Sequence, residues 1–218
     1  SSFNRTAAYR SLYIMDLLHH DVRQISAPGM DANSPSWSPD GRQILYSAQY
    51  GDHYALYMMN MGGDGRRLLL SAEDRDYYAA AWSPDGTRIA FVSSPGNNSD
   101  IYLLELATGD IQRLTQHPAL DTDPVWLPDS EAIVFVSQRN GDSQLFMMNA
   151  DGSGVRQLCF DQDLDLHANL TKGKSVLAIR LECLPQQGIQ LPESAAPLGH
   201  PAAVFTDFTY SIFCFLSK

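Results

Sequence analysis

The stretch WSPDG at residues 37–41 decides the fold, because it returns as WSPDG at 82–86 and, altered, as WLPDS at 126–130. An aromatic residue and, twelve positions later, an aliphatic residue recur with the same spacing. The aromatic positions are Tyr13, Tyr57, Tyr102 and Phe146, and the aliphatic positions are Ile25, Leu69, Leu114 and Leu158. Three markers that keep one period indicate an internal repeat of 44–45 residues.

Each repeat predicts four short strands. Proline presets φ and glycine accepts positive φ, so the Ser-Pro-Asp-Gly segment is a turn. The strand behind each turn is apolar at nearly every position, which is expected of a strand packed between two neighbouring sheets. We predict such strands near 42–48, 88–94 and 132–138. Four strands at this period are typical of a propeller blade, so the predicted fold is an all-β β-propeller of four-stranded antiparallel blades.

Three segments carry a resemblance to a known family. They are NSPSWSPDG at 33–41, the pair Ile101-Tyr102, and NADG at 149–152 followed by VRQL at 155–158. In these residues the chain resembles the TolB-like, or WD-like, propeller repeat over roughly residues 8–180. The resemblance implies a propeller that binds other proteins, in a periplasmic or otherwise extracytoplasmic location. Similar repeats also occur in the propeller domains of prolyl-oligopeptidase-type peptidases.

The markers divide the chain into three whole repeats with partial repeats at both ends. We predict a partial blade at 8–27, blades at about 33–71, 78–116 and 122–160, and a degenerate blade at 165–183. Residues 184–218 read as an irregular proline-rich segment and an aromatic, β-prone tail.

Two forms of closure follow from this division. The partial repeats, with inner strands from about Ala168 to Glu182, could share a fourth blade and close a four-bladed ring. Otherwise the propeller is partial and open, completed by more of a larger propeller or by another chain, and we favour this form. An open propeller would expose apolar blade faces and tend to self-associate.

Composition excludes several classes of partner. The net charge of −10 opposes nucleic-acid binding, which needs a basic footprint. Since no run of 18 apolar residues occurs, we expect no direct membrane insertion. Three cysteines without a CxxC pair predict neither a disulfide framework nor a zinc site. We predict no metal and no cofactor, and a protein or peptide as partner.

No catalytic motif is present: the sequence contains neither HExxH nor GxSxG. Asn149–Gly154 resembles the start of a calcium loop, but Phe160 stands where the bidentate glutamate would be, so a hairpin turn is favoured. The sequence therefore predicts a non-enzymatic interaction module. One alternative is an accessory or gating propeller of a peptidase whose catalytic domain is absent from this chain. Another is an enzyme with a site in the central channel, for which only aspartates are available.

Two sets of residues are candidates for partner binding. The first set precedes each repeat's tryptophan or its equivalent: Asp31, Asp76, Asp121, Asp123 and Asp165. These carboxylates could form a ring that attracts a cation or a basic peptide, although accepting backbone N–H groups within their loops is the favoured interpretation. The second set consists of residues in loops that differ between repeats: Tyr50, His53, Tyr77, Tyr78 and Arg139. We predict that Trp37, Trp82 and Trp126 pack between blades.

Overall fold

The computed structural model describes residues 9–16, 19, 21–158 and 214–215, and every regular element in these ranges is a β-strand. The strands are β1 (Tyr13–Met15), β2 (Val22–Gln24), β3 (Ala32–Trp37), β4 (Gln43–Tyr50), β5 (His53–Asn60), β6 (Arg67–Leu70), β7 (Asp76–Trp82), β8 (Arg88–Ser94), β9 (Asp100–Glu105), β10 (Ile111–Arg113), β11 (Asp121–Trp126), β12 (Ala132–Asn140), β13 (Asp142–Asn149), β14 (Arg156–Gln157) and β15 (Cys214–Phe215).

The strands form three four-stranded sheets and one three-stranded sheet. The first blade contains β3–β6, the second β7–β10 and the third β11–β14, each with antiparallel neighbours in chain order. The first strands of the three blades lie side by side, with β7 in contact with both β3 and β11. The predicted all-β propeller of four-stranded antiparallel blades is confirmed, and β4, β8 and β12 coincide with the three predicted apolar strands. The described sheets do not close into a ring.

Strands β4 and β8 are buried on both faces because each face meets a different sheet. In β4, Ile44 and Tyr46 pack in one cluster with Ile14 of β1 and with Ile25, which follows β2. Leu45 packs against the second blade. In β8, Ile89 and Phe91 face the first blade and Ala90 faces the third. Side chains alternate between the faces of a strand, so a run of apolar residues supplies two interfaces at once.

An aromatic pair stands at the same place in every blade. The ring centroids are 5.7 Å apart for Tyr46 and Tyr57, 5.8 Å for Phe91 and Tyr102, and 5.9 Å for Phe135 and Phe146. Each pair joins the second and third strands of its blade directly across the ladder. These separations lie in the favourable range for aromatic pairs, so the marker found in the sequence is a core contact.

The Ser-Pro-Asp-Gly turn is held by a side-chain network. Asp40 Oδ1 accepts hydrogen bonds from the Ser38 hydroxyl at 2.6 Å and the Arg42 backbone N–H at 3.0 Å. Asp85 accepts the corresponding bonds from Ser83 and Thr87. In the third blade the glycine is replaced by Ser130, which keeps positive φ at 63°. Its hydroxyl accepts a hydrogen bond from the Asp85 backbone N–H, which ties the third turn to the second.

The N-terminal sheet consists of β1, β2 and β15. Strands β1 and β2 are the predicted outer pair of a partial blade, and they are antiparallel. The strand on the other side of β1 is β15, which pairs in parallel and comes from the tail. The aromatic tail therefore supplies a strand at this edge. The predicted inner strands between Ala168 and Glu182 and the degenerate blade at 165–183 lie outside the described residues.

The tryptophans pack between blades, as predicted. Trp126 is 4% exposed, and its Nε1 donates a hydrogen bond to the Ala81 carbonyl of the second blade at 3.2 Å. Trp37 and Trp82 are half-buried against the clusters that join their blades to the preceding sheets.

We expect Trp126→Ala to lower the free energy of unfolding by about 3–5 kcal/mol, the range for a large buried aromatic side chain. Trp82→Ala should cost less, because Trp82 is only half-buried. Urea unfolding of the two variants measures the difference. A Trp82→Ala loss equal to or larger than that of Trp126→Ala would contradict this order.

A left-handed residue interrupts the inner strand of each blade at the same β-bulge. The residues are Ser34, Ala79 and Asp123, with φ of 50°, 48° and 51°. Positive φ costs an ordinary L-residue about 1–2 kcal/mol, whereas glycine adopts it freely.

Ala79→Gly should therefore leave the free energy of unfolding unchanged or raise it by up to about 1 kcal/mol, after glycine's greater chain entropy is subtracted. The neighbouring Ala80, which is 5% exposed and has no positive φ, is the matched control. Ala80→Gly should lose about 1–2 kcal/mol, from chain entropy and a buried methyl group. Equal losses at both positions in urea unfolding would show that the bulge is unstrained.

Candidate binding face

The predicted site residues gather at one end of the blades, which we call the loop face. It contains the β4–β5, β8–β9 and β12–β13 hairpins at 50–53, 95–99 and 140–142, and the starts of β3, β7 and β11. Because neighbouring strands are antiparallel, the end of each second strand lies beside the start of the first. Asp31, Asp76 and Asp121 thus share a rim with Tyr50 and His53. Asp165 lies outside the described residues.

Asp31 is bound by Arg10 and Tyr54. The guanidinium of Arg10 donates to both carboxylate oxygens, at 2.9 and 3.0 Å, and its backbone N–H donates to Oδ1 at 3.0 Å. The Tyr54 hydroxyl donates to Oδ2. The hydrogen bond from Arg10, with the further donation from Tyr54, lowers the pKa of Asp31 to about 2, although partial burial works in the other direction. Asp31 is therefore ionised and internally paired at neutral pH.

Asp76 is connected to the same tyrosine through the main chain. Its Oδ1 accepts the Tyr54 backbone N–H at 2.7 Å and lies 3.5 Å from His53 Nδ1. Tyr54 therefore joins the carboxylates at the starts of two successive inner strands, through its hydroxyl and its N–H. This link couples the rim of the first blade to that of the second.

Asp121 is fully buried and pairs with Arg139. The Arg139 Nη2 lies 3.1 and 3.0 Å from the two carboxylate oxygens, and Nε donates to Ser137 Oγ at 2.9 Å. The guanidinium also lies over the rings of Phe135 and Phe146, at 5.4 and 4.7 Å. Arg139 belongs to β12 and its side chain is 16% exposed, so it differs from the exposed loop residue expected from the sequence.

Two predicted loop tyrosines are strand residues. Tyr77 and Tyr78 lie in β7 and are half-buried, and the Tyr77 ring packs edge-on against Phe91 with centroids 5.5 Å apart. Burial raises the pKa of both phenols. Tyr50, at 52%, and Asp123 are the exposed members of the described candidate set.

One charged pair was missed by the sequence analysis. Asp100 is 2% exposed and accepts a hydrogen bond from Arg113 Nη2 at 2.6 Å. Burial raises the pKa of Asp100, against the lowering effect of Arg113, and the nearby Asp121 carboxylate adds to the rise. The repeat pattern could have identified Asp100. It occupies the position of Ala55 and Gln144, two residues before the aromatic marker, where these two repeats carry an uncharged residue.

The described side chains of the loop face can make aromatic and polar contacts with a partner. Within residues 9–16, 19, 21–158 and 214–215, no three His, Cys, Asp or Glu side chains converge on a point that could hold a metal ion. The same part of the chain contains no helix that is long and apolar enough to span a membrane. The loop face instead presents an exposed aromatic side chain among carboxylates held by internal donors.

Comparisons with known proteins agree with this fold. A family model described as the TolB beta propeller domain matches residues 65–190, more than half of the chain. The structure is similar to TolB from Acinetobacter baumannii, with 27% identity and a TM-score of 0.63 over 69% of this chain, and spans 37% of that protein. Comparison with the curated proteins finds no match.

Two enzymes share the fold at lower identity. An oligogalacturonate lyase from Vibrio parahaemolyticus is 16% identical with a TM-score of 0.54, over 70% of this chain and 46% of the lyase. A puromycin-hydrolyzing peptidase from Mycobacterium tuberculosis is 14% identical with a TM-score of 0.52, over 63% of this chain and 22% of the peptidase. At these identities the likeness shows the fold alone.

The lowered pKa of Asp31 predicts an acid-dependent loss of stability. A carboxylate with a folded pKa of about 2 and an ordinary value of 3.8 stabilises the fold fully above pH 4, and loses this contribution as the pH falls towards 2. Because Arg10 is largely exposed, we expect about 1 kcal/mol after solvent screening. Asp31→Asn should remove this part of the pH dependence of urea unfolding.

The matched control is the same substitution in an Arg10→Met background, where the pairing partner is already gone. There Asp31→Asn should change the pH dependence less. Identical pH profiles for the wild type and Asp31→Asn would contradict the assigned pairing.

Proposed function

The chain belongs to the TolB beta propeller domain family, and from this premise we propose that it is a non-enzymatic interaction module whose loop face binds a partner protein or peptide. The observation that carries the proposal is the contrast between scaffold and rim. The aromatic pairs, the turns and the aspartates at the starts of the inner strands repeat from blade to blade, whereas the hairpin residues on the loop face, such as Tyr50 and His53, differ. A rigid scaffold with variable loops is the usual arrangement of binding domains.

The rim is well suited to hold its contact residues in place. Tyr54 connects Asp31 with Asp76. Arg139 lies over two aromatic rings and pairs with the buried Asp121. Side chains ordered in the free protein lose little entropy when a partner binds. The exposed Tyr50 supplies an aromatic anchor, a residue type that is enriched at interface hot spots.

The charge of the chain supports a protein or peptide partner over nucleic acid. A net charge of −10 repels a phosphate backbone and attracts a basic partner. From the family we further infer a periplasmic or otherwise extracytoplasmic location.

A second candidate function is an accessory or gating propeller for a peptidase. The fold that this chain shares with the Mycobacterium tuberculosis peptidase supports this second candidate function. The full-length gene distinguishes the two, because an adjacent hydrolase domain with a nucleophile elbow would establish the second function.

Site-specific photo-crosslinking tests the proposed interaction. A photoreactive phenylalanine analogue replaces Tyr50 on the loop face or, as the matched control, Ile111 on the outermost strand of the second blade. The two side chains are similarly exposed, at 52% and 47%. In cells of the source organism, we expect a discrete protein adduct at position 50 and none at position 111. No adduct at position 50, or equal adducts at both positions, would overturn binding at the loop face.

A further inference from the structure

An open groove of about 620 Å³ lies between the first and second blades, at the end opposite the loop face. The Ser-Pro-Asp-Gly turns of both blades border it. Met58, Leu69, Leu104 and Leu106 supply apolar lining, and Trp82 forms part of the wall. The volume lies within the range of small-ligand and side-chain binding sites.

The equivalent junction between the second and third blades is built differently. There, the guanidinium of Arg88 lies over the Trp126 ring, 4.8 Å from its centroid. The same guanidinium donates to the Ser130 carbonyl at 2.7 Å. Trp126 is consequently 4% exposed, and its Nε1 has an acceptor. This junction therefore shows an arginine stacked on the tryptophan between two blades.

The first junction lacks that arginine. Gln43 stands six residues after Trp37, as Arg88 does after Trp82, and Gly86 takes the place of Ser130. Gln43 and Gly86 both line the groove. Trp82 remains half-buried, and its Nε1 has no acceptor among the described residues. Among the described residues, no guanidinium lies over the Trp82 ring as that of Arg88 lies over Trp126.

The charges around the groove favour a cation. Asp40, Asp85 and Glu105 line it, against one lining guanidinium, that of Arg67. Asp85 also pairs with Arg88 at 3.4 Å, so Asp40 and Glu105 are the carboxylates left for a bound cation. Burial opposes ionisation of Asp85, but hydrogen bonds from Ser83 and Thr87 keep its pKa below the ordinary value. Glu105 is half-buried and forms no ion pair within the described part of the chain. Carboxylates beside an aromatic face suit a planar guanidinium, which can stack and donate hydrogen bonds at the same time.

We propose that this groove binds an arginine side chain from a partner peptide, stacked on Trp82 as Arg88 is stacked on Trp126. The guanidinium donates to the carboxylates at the groove's edge, and apolar residues beside the arginine contact the leucine lining. The site is separate from the loop face, so it does not depend on the interaction proposed there.

Titration with short peptides tests this site on the whole chain. The probe is acetyl-Ala-Leu-Arg-Leu-Ala-amide, and the control peptide carries glutamine in place of arginine. The chain has three tryptophans, so a ¹⁵N-correlation spectrum gives three indole N–H signals, and Trp82→Phe identifies that of Trp82. We expect the arginine peptide to shift the Trp82 signal and to leave those of Trp37 and Trp126 in place. The glutamine peptide should bind at least about tenfold more weakly.

Two variants test the assigned contacts. Gln43→Arg supplies the arginine from the chain itself and should weaken peptide binding at least about tenfold, with the Trp126 signal unchanged as evidence of folding. Glu105→Gln removes a carboxylate at the rim of the groove and should weaken binding severalfold even if Gln43→Arg proves unstable. Equal shifts from both peptides, a shift confined to Trp126, or unchanged affinity in Glu105→Gln would overturn the proposal. None of these outcomes bears on loop-face crosslinking at position 50.

Discussion

The structure depends on one constraint: the second strand of every blade is apolar on both faces and must be covered from two sides. Residues such as Leu45 and Tyr46 are adjacent in sequence but belong to different interfaces. A single four-stranded sheet cannot bury both, so each blade requires a neighbour on either side. The third blade obeys the same rule, since Val134 and Leu145 on its far face are buried too. Face-to-face stacking of similar sheets, the basis of the propeller, follows from this requirement.

The sequence of the repeat varies at the ends of the blades, and these residues distinguish one blade from another. At one position of the third strand the blades carry Ala55, Asp100 and Gln144, which are respectively apolar, ion-paired with Arg113, and hydrogen-bonded to Gln157. Each solution satisfies the buried position in a different way, as buried polar groups require. Sequence variation also makes the two junctions between blades different. Arg88 covers Trp126 in one, and an open groove lies beside Trp82 in the other.

The outer edges show how the open rows of backbone groups are protected. Each of the outermost strands β2, β6, β10 and β14 is two to four residues long and carries an arginine. The four residues are Arg23, Arg67, Arg113 and Arg156. Short, charged edge strands discourage pairing between chains. The protection is local, because Val22, Leu68 and Ile111 remain exposed on three of these same strands.

The sequence by itself determined the repeat, the four-stranded blades, the turns and the packing role of the tryptophans. Local rules account for these features: proline and glycine set turn geometry, and side chains alternate along a strand. The tertiary structure decided which polar and aromatic side chains are exposed and which are buried or paired within the chain. The sequence predicts Arg139 as a loop residue, but in the fold it pairs with Asp121 of β11 and lies over the ring of Phe146 of β13. The sequence predicts Tyr77 as exposed, but Phe91 packs against it. The tertiary structure also decided that the tail strand Cys214–Phe215 lies beside β1. Burial and pairing between residues far apart in the chain depend on how sheets stack, and no local pattern in the sequence contains that distance.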